Sequence, residues 1–237
     1  MMQQVADETV CAFERDCFCL VPNVLGAEQR AALVDTLAAN TLARSRRNEA
    51  TYGARNLLAD ERVRAIAQLE SVRKIANAFA CAPARAVRGL LFDKTPDANW
   101  HVPWHQDLVV AVAERHEVAG WGQWSIKAGA HHVEAPPDAL ARMATLRLHV
   151  DACGADAGPL RVVPGSHRLG RLRNPDIKRL RTERSTHICL ATAGSALAMR
   201  PLLVHASSSA TVPCHRRVLH LEFAPENLLP PPLAWAN

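Results

Sequence analysis

Nothing in this sequence is long and apolar enough to cross a bilayer as a helix. The best stretch, Ser195 to Val204, is interrupted by Arg200 and Pro201 and falls short of the roughly 20 residues such a helix needs, so no membrane association is expected. The opening residues lack a basic segment followed by an apolar one, so no secretory leader is expected. Paired cysteines are missing as well. The seven cysteines (Cys11, Cys17, Cys19, Cys81, Cys153, Cys189 and Cys214) are scattered. The one close pair, Cys17 and Cys19, does not have the spacing of a structural zinc site. Free, mostly buried thiols in a reducing cytoplasm are the expectation. There is no internal repeat, and the only biased tract is a proline-rich tail from Pro225 to Pro232.

Positive charge is in excess but confined. Seven basic and two acidic residues lie between Arg168 and Arg184, which accounts for the whole formal net charge of +5 and leaves the rest of the chain balanced. No aromatic residue interrupts this segment, so it offers no platform on which bases could stack, and a nucleic-acid partner is not expected. A solvated helix face explains the patch; the functional alternative is a rim that attracts anions to a site entrance.

What is present is enough for one well-buried domain, since 237 residues do not demand two. Helical patterns occupy the first part, about 1–83. One helix is expected from Ala27 to Ala39 with Asn40 as its stop. Two more are expected behind the N-caps Asp60 and Ser71, with Val63, Ile66 and Leu69, then Val72, Ile75 and Phe79, at helical spacing. A short strand is expected over Cys17 to Val21, and the Arg-rich segment from Thr41 to Tyr52 reads as a loop. After Pro83 the pattern changes to strands: Arg85 to Lys94, His101 to Val112, Met143 to Val150, Leu160 to Val163, His187 to Leu190, Ser195 to Ser207 in two pieces, and Arg216 to Phe223. Residues 113–142 read as a long insertion without regular pattern, and its Trp121 and Trp124 point to a lid over a pocket. Helices first and short strands afterwards predict an α+β, mainly β, architecture with a helical layer on a sandwich or barrel about 84–224, followed by the tail 225–237.

The chemistry is concentrated in Trp104-His105-Gln106-Asp107. On a strand, alternation puts His105 and Asp107 on one face. An imidazole and a carboxylate so placed make two-thirds of the 2-His-1-carboxylate set that holds non-heme Fe(II) and leaves positions open. A third ligand candidate, His205, ends an apolar run far downstream, and Arg216 follows at the start of a strand, able to form a bidentate pair with a carboxylate. Arg217 competes with Arg216 for that role, and alternation alone does not choose between them. His131 and His132 read as a solvated loop.

These residues resemble the phytanoyl-CoA dioxygenase family of Fe(II)/2-oxoglutarate-dependent oxygenases. The matching pieces are LFDKTP (Leu91 to Pro96), WHQD (Trp104 to Asp107), GPLRVVPGSHR (Gly158 to Arg168), HAS (His205 to Ser207) and RRV (Arg216 to Val218), and in order they cover about residues 10–224. The resemblance implies a double-stranded β-helix, or jelly-roll, core with the N-terminal helices packed on one sheet. It implies iron held by His105, Asp107 and His205. By family spacing, Arg216 pairs with the distal carboxylate of 2-oxoglutarate, Ser207 adds a hydrogen bond, and His167 belongs to a structural turn. Arg147 stands where the family often has an aromatic residue beside the cosubstrate, and this departure points to an anionic or carboxylated substrate. Arg88 and Arg55 are further candidates near the site, with structural salt bridges as the competing reading for all three arginines. The implied reaction uses Fe(II), 2-oxoglutarate and O2 to hydroxylate an aliphatic C–H of a small molecule, releasing succinate and CO2. Asp107 favours hydroxylation over halogenation, since related halogenases lack a carboxylate there. A zinc-dependent hydrolase on the same three ligands, or a non-catalytic ligand-binding jelly roll, are the alternatives.

Overall fold

Two periods, 3.6 and 2, divide the chain into a helical layer and a stack of sheets. The computed structural model describes residues 7–39, 44–47 and 50–236. In chain order, α1 (Asp7–Asp16), β1 (Phe18–Val21) and α2 (Ala27–Ala39) precede β2 (Arg44–Arg47), β3 (Ala50–Ala54), α3 (Glu61–Gln68) and α4 (Glu70–Ala80). Then come β4 (Ala84–Lys94), β5 (Val102–His105), β6 (Val109–Val112), β7 (Gly122–Lys127), β8 (Ala130–Glu134) and α5 (Pro137–Ala141). The last part holds β9 (Ala144–His149), β10 (Leu160–Val162), α6 (Asn174–Glu183), β11 (His187–Cys189), β12 (Ala196–Met199), β13 (His205–Ser207) and β14 (Arg216–Pro225).

The strands form a seven-stranded sheet in the order β1-β12-β9-β14-β4-β3-β2, a four-stranded sheet β11-β10-β13-β5, and a three-stranded sheet β6-β8-β7. From β4 onward the chain passes back and forth between the two larger sheets: β4, β9, β12 and β14 lie in one, β5, β10, β11 and β13 in the other. That is a jelly roll. Period-2 alternation gives the central strands β9, β12 and β14 two buried faces. Leu219, Leu221 and Phe223 of β14, with Leu91, Leu146 and Leu148, pack outward under Val72, Ile75, Ala76 and Phe79 of α4. Those four α4 residues sit at i, i+3, i+4 and i+7, the spacing of one helical stripe. Phe79 also stacks on Phe13 of α1 at 4.1 Å between ring centroids. On the inner side, Leu160, Val162 and Cys189 meet Leu197 and Met199.

Several sequence expectations need correction. The strand over His101 to Val112 is two strands in different sheets. The chain bends at residues 106–108, where the Asp107 amide donates to the Pro201 carbonyl at 2.9 Å. Residues 113–142 carry the hairpin β7–β8, which pairs with β6. There Val110, Val112, Trp121 and Val133 pack with Leu233 and Trp235 of the tail. The segment expected as a loop over Thr41 to Tyr52 contributes β2 and the start of β3 to the sheet edge. The expected helix stop Asn40 lies outside the described residues. Asp60 does cap α3, accepting from the Arg62 amide at 2.9 Å. Ser71 caps nothing; its hydroxyl donates to the Val24 carbonyl at 2.9 Å, and Leu69 is the residue ahead of α4. Among the described residues, the first 83 positions therefore hold three strands as well as four α-helices. Cys17, Cys19, Cys153 and Cys189 are free and buried, and Cys81 and Cys214 are free and exposed. No helix among the described residues is long and apolar enough to cross a membrane.

Candidate active site

His105 ends β5 and His205 opens β13. The two strands pair antiparallel with these residues as register partners, which brings the rings to 4.2 Å between centroids. The bend after β5 then turns Asp107 toward both. Its Oδ1 is 3.6 Å from His105 Nε2 and its Oδ2 is 3.6 Å from His205 Nε2. Ligand atoms of the three residues all lie within 4.8 Å of one another, the one such group found among the described residues. Each imidazole places Nδ1 2.8 Å from the carbonyl two residues earlier, Pro103 for His105 and Leu203 for His205. A neutral ring in that position donates through Nδ1, leaving the Nε2 lone pair bare and aimed at the shared centre. Burial, partly offset by Asp107, pushes His205 down to about 4. In His105 the same burial is outweighed by Asp107, and the net shift is upward. Burial would raise the Asp107 carboxyl, but the facing imidazoles overcome it and hold the group well below the usual carboxylate range. An ionised Asp107 and a neutral His205 are the states a divalent metal needs from its ligands, and a metal bound there would take the place of the proton that Asp107 favours on His105.

Two local devices hold the ligands in place. The Ser166 hydroxyl accepts the Val204 amide at 2.9 Å, so the Pro164–His167 turn buttresses the strand start that carries His205. His167 is not in the ligand group. Gln106, between the two upstream ligands, is buried and uses its whole amide. It donates to Gly170 and Leu202 carbonyls at 2.8 and 2.7 Å and accepts from the Leu172 amide at 2.8 Å. Sequence reasoning missed its role; the available signal was its position between two ligands.

Next to the triad lies a cavity of about 170 Å³ whose walls include His105, Asp107, His205, Ser207, Arg147 and Arg216. Three cations surround it. Arg216 is 3% exposed; its guanidinium lies 3.2 Å from the Gly158 carbonyl and 3.4 Å from the Ser207 hydroxyl, and its Nε has no partner. Lys94 is fully buried, with Nζ 2.7 Å from Ser207 Oγ and donating also to the Ser208 and Gly158 carbonyls. Arg147 donates to His220 Nδ1 at 3.1 Å and keeps an unpartnered buried Nε. None of the three has a carboxylate ion pair among the described residues. Burial, and then Arg216, lower Lys94 to about 7 and Arg147 to about 10. Uncompensated buried cations are costly, so the cavity is built for an anion. Gly158 has to be glycine here: its φ is +67°, and a Cβ would run into the Ser208 carbonyl and come within 2.8 Å of Lys94 Nζ.

The remaining sequence-selected residues lie elsewhere. Arg217, on the opposite face of β14, is held by Asp151 through two bonds of 2.8 Å (Nε to Oδ2 and a terminal nitrogen to Oδ1). Arg88 pairs with buried Glu222 at 2.9 Å, and Arg55 is half-buried just beyond β3; neither lines the cavity. His131 and His132 are on β8 rather than a solvated loop. His132 is 2% exposed and its Nδ1 lies 3.0 Å from the Ala130 carbonyl. Lys94 is the cavity cation that sequence reasoning passed over, although it sits in the LFDKTP string.

The fold is shared with known proteins. AviO1 from Streptomyces viridochromogenes Tue57 superposes with a TM-score of 0.69 at 21% identity, covering 98% of this chain and 100% of that one. The epimerase SnoN of nogalamycin biosynthesis, solved with Fe3+, alpha ketoglutarate and nogalamycin RO, gives 0.69 at 16% identity over 97% of this chain and 85% of its own. EctD from S. alaskensis, solved with 2-oxoglutarate and 5-hydroxyectoine, gives 0.71 at 15% identity over 93% of this chain and 76% of its own. No curated protein matches the sequence. The family model for phytanoyl-CoA dioxygenase matches residues 13–218, which contain all three converging ligand candidates and both arginines of β14, and the chain belongs to that family.

Proposed function

We propose that the chain is an Fe(II)- and 2-oxoglutarate-dependent oxygenase that hydroxylates an aliphatic C–H bond of a small molecule. One observation carries this reading: a triad of convergent donor atoms shares its cavity with three buried cations that have no carboxylate ion pair among the described residues. Two imidazoles and one carboxylate suit a divalent iron with open positions. The cation-lined cavity suits a dicarboxylate, and a zinc hydrolase would leave those cations without an anion.

Bound together, iron and 2-oxoglutarate supply oxidative decarboxylation, in which 2-oxoglutarate and O2 give succinate and CO2 and one oxygen atom goes to the substrate C–H. The chain's own groups hold, orient and exclude. His105, Asp107 and His205 are the metal ligands. Arg216 and Lys94, steadied by the shared Ser207 hydroxyl, grip the far carboxylate of the cosubstrate. Arg147, held by His220, supplies a further cation to the same cavity. Phe92, Val102 and Leu160 keep water from the cavity. Among the structural relatives the chemistry varies, from epimerase to carbocyclase; the carboxylate at Asp107 favours hydroxylation over halogenation, and hydroxylation is the reaction we propose. The test is anaerobic titration of the Fe(II) protein with 2-oxoglutarate, followed by its visible charge-transfer band. A saturating band, and succinate on admitting O2, are expected. Absence of both overturns the reading.

A further inference from the structure

The metal centre is open on one side only. The His205 side chain is 5% exposed, whereas those of His105 and Asp107 keep 36% and 30%. Access therefore crosses the His105/Asp107 side, and what surrounds that side belongs to neither the triad nor the cosubstrate cavity. β3 ends with Ala54 opposite Leu91 of β4, and both face the helical layer. Arg55 follows directly, half-buried, beside the strand β4 whose inner face carries Leu90 and Arg88. The β7–β8 turn is fastened to the same edge, because the Asn56 side-chain amide donates to the Ala128 carbonyl at 3.0 Å. In β7, Ile126 points outward at 69% exposure, so Lys127 takes the inward, half-buried face. Arg88 is neutralised by Glu222 at 2.9 Å. Lys127 has no carboxylate ion pair among the described residues. Burial first, and then Arg88 and Arg55, push its ammonium below the ordinary value, while Asp107 and Glu222 pull the other way. Glu222 also lies 3.5 Å from His220, which lines the cavity together with His105 and Asp107, so the Arg88–Glu222 pair adjoins the metal site, and the Asn56–Ala128 bond ties the chain at Lys127 to the chain at Arg55.

We propose that Lys127 and Arg55, backed by the Arg88–Glu222 pair, form a subsite for an anionic group of the organic substrate, a carboxylate or phosphate ester, across the open side of the metal centre. This rests on the oxygenase reading above. An anion anchored there fixes the substrate at one end, and the reactive C–H is the one that its length carries to the metal. The subsite is separate from the one for 2-oxoglutarate: its cations come from β4, β7 and the residue after β3, those of the cosubstrate cavity from β4, β9 and β14.

The experiment uses the whole chain with Mn(II) in the metal site and saturating 2-oxoglutarate, probed anaerobically with inorganic phosphate and with acetate. Paramagnetic relaxation of the phosphorus and methyl-carbon nuclei reports anions close to the metal. Saturable relaxation is expected in the wild type. Affinity is expected to fall about tenfold in Lys127→Met, equivalent to about 1.4 kcal/mol, and to return largely in Lys127→Arg. A stronger response to phosphate assigns a phosphate ester, and one to acetate a carboxylate. Equal relaxation in wild type and Lys127→Met, in protein that still binds 2-oxoglutarate, overturns the subsite alone, as does a wild type with no saturable relaxation by either anion. Protein that binds no 2-oxoglutarate overturns the reading beneath it.

Discussion

The seven-stranded sheet has two buried faces made by the same strands, and they do opposite work. Under the helices, Leu91, Leu146, Leu148, Leu219, Leu221 and Phe223 form a continuous hydrocarbon layer. One residue over in each strand, the inner face buries Lys94, Arg147, His149, Arg216, His220 and Glu222. The outer face contributes the burial that stabilises a jelly roll of short strands. The inner face is a cost: each charge there is desolvated, and several polar atoms, among them Arg147 Nε, Arg216 Nε and both His149 ring nitrogens, have no partner. A fold keeps such a face only where the rest of the structure carries it, and unsatisfied buried groups concentrate where ligands bind. Stability and function are thus separated by the pleat of the sheet rather than by distance along the chain.

The contrast breaks most sharply with one substitution on each side. His205→Ala is expected to abolish Fe(II) binding and turnover while the circular dichroism spectrum and melting temperature stay near wild type, because the lost ring is a small part of the core. Unchanged iron stoichiometry in that variant would remove the triad assignment. Phe223→Ala, on the other face, is expected to lower unfolding stability by about 3–5 kcal/mol, the usual cost of emptying a buried aromatic site. The surviving folded fraction should bind iron normally. A denaturant melt on each variant, with iron content measured on the same samples, checks both.

The neighbours Arg216 and Arg217 sharpen the comparison to a single step along β14. Arg216 faces the cavity, where two charge-assisted hydrogen bonds to a carboxylate, each roughly 1.5–3 kcal/mol, make Arg216→Ala cost on the order of 3 kcal/mol. That is more than about a hundredfold in 2-oxoglutarate affinity. Arg217 is held by Asp151 with both side chains about a quarter exposed (23% each), so Arg217→Ala should cost about 1 kcal/mol of stability or less and leave the cosubstrate titration unchanged. A damaged Arg217→Ala with a normal Arg216→Ala would place the anion on the wrong face.

Much of this was legible from alternation and spacing. The helix Ala27–Ala39 has the bounds its pattern predicts, and the later strands fall where apolar alternation puts them. What escaped notice has physical reasons. β2, Arg-rich and on a sheet edge, pairs through its backbone and needs no apolar side chains. The β7–β8 hairpin hides its period because its register shifts between Gly122 and Ser125, with Gln123 at a φ of 54°. The strand through His105 breaks at Asp107 because the chain changes sheets there, which no local pattern records. Alternation could not choose between Arg216 and Arg217, since both faces of β14 are covered. Lys94 was overlooked for the opposite reason: a lysine at a strand end is nearly always solvated, and only the fold reveals that this one is not.

Lys94 also gives the mildest test, because it is an inner-face group whose charge can be changed without a mutation. Burial, and Arg216 beside it, lower its pKa from 10.5 to about 7 in the ligand-free protein. A lysine whose folded value lies below its unfolded value is neutral in the native state, and protonated in the unfolded one, throughout that interval. The unfolded chain then binds more protons, so this group makes stability rise with pH between about 7 and 10.5, with its full penalty present below that window. A dicarboxylate in the cavity reverses the balance by favouring the ammonium, so binding takes up a proton above pH 7. Affinity for 2-oxoglutarate is therefore expected to fall as pH rises from 7 to 9, by at most about tenfold per unit for one proton. Lys94→Met is expected to flatten that dependence, to bind more weakly at pH 7, and to melt higher than wild type at pH 6 when free of ligand, since a methionine there carries no buried charge. If the mutant keeps the wild-type pH slope, the proton is taken up elsewhere. If it melts lower at pH 6, the three hydrogen bonds of Lys94 outweigh its desolvation, and at that position the inner face stabilises the fold as the outer face does.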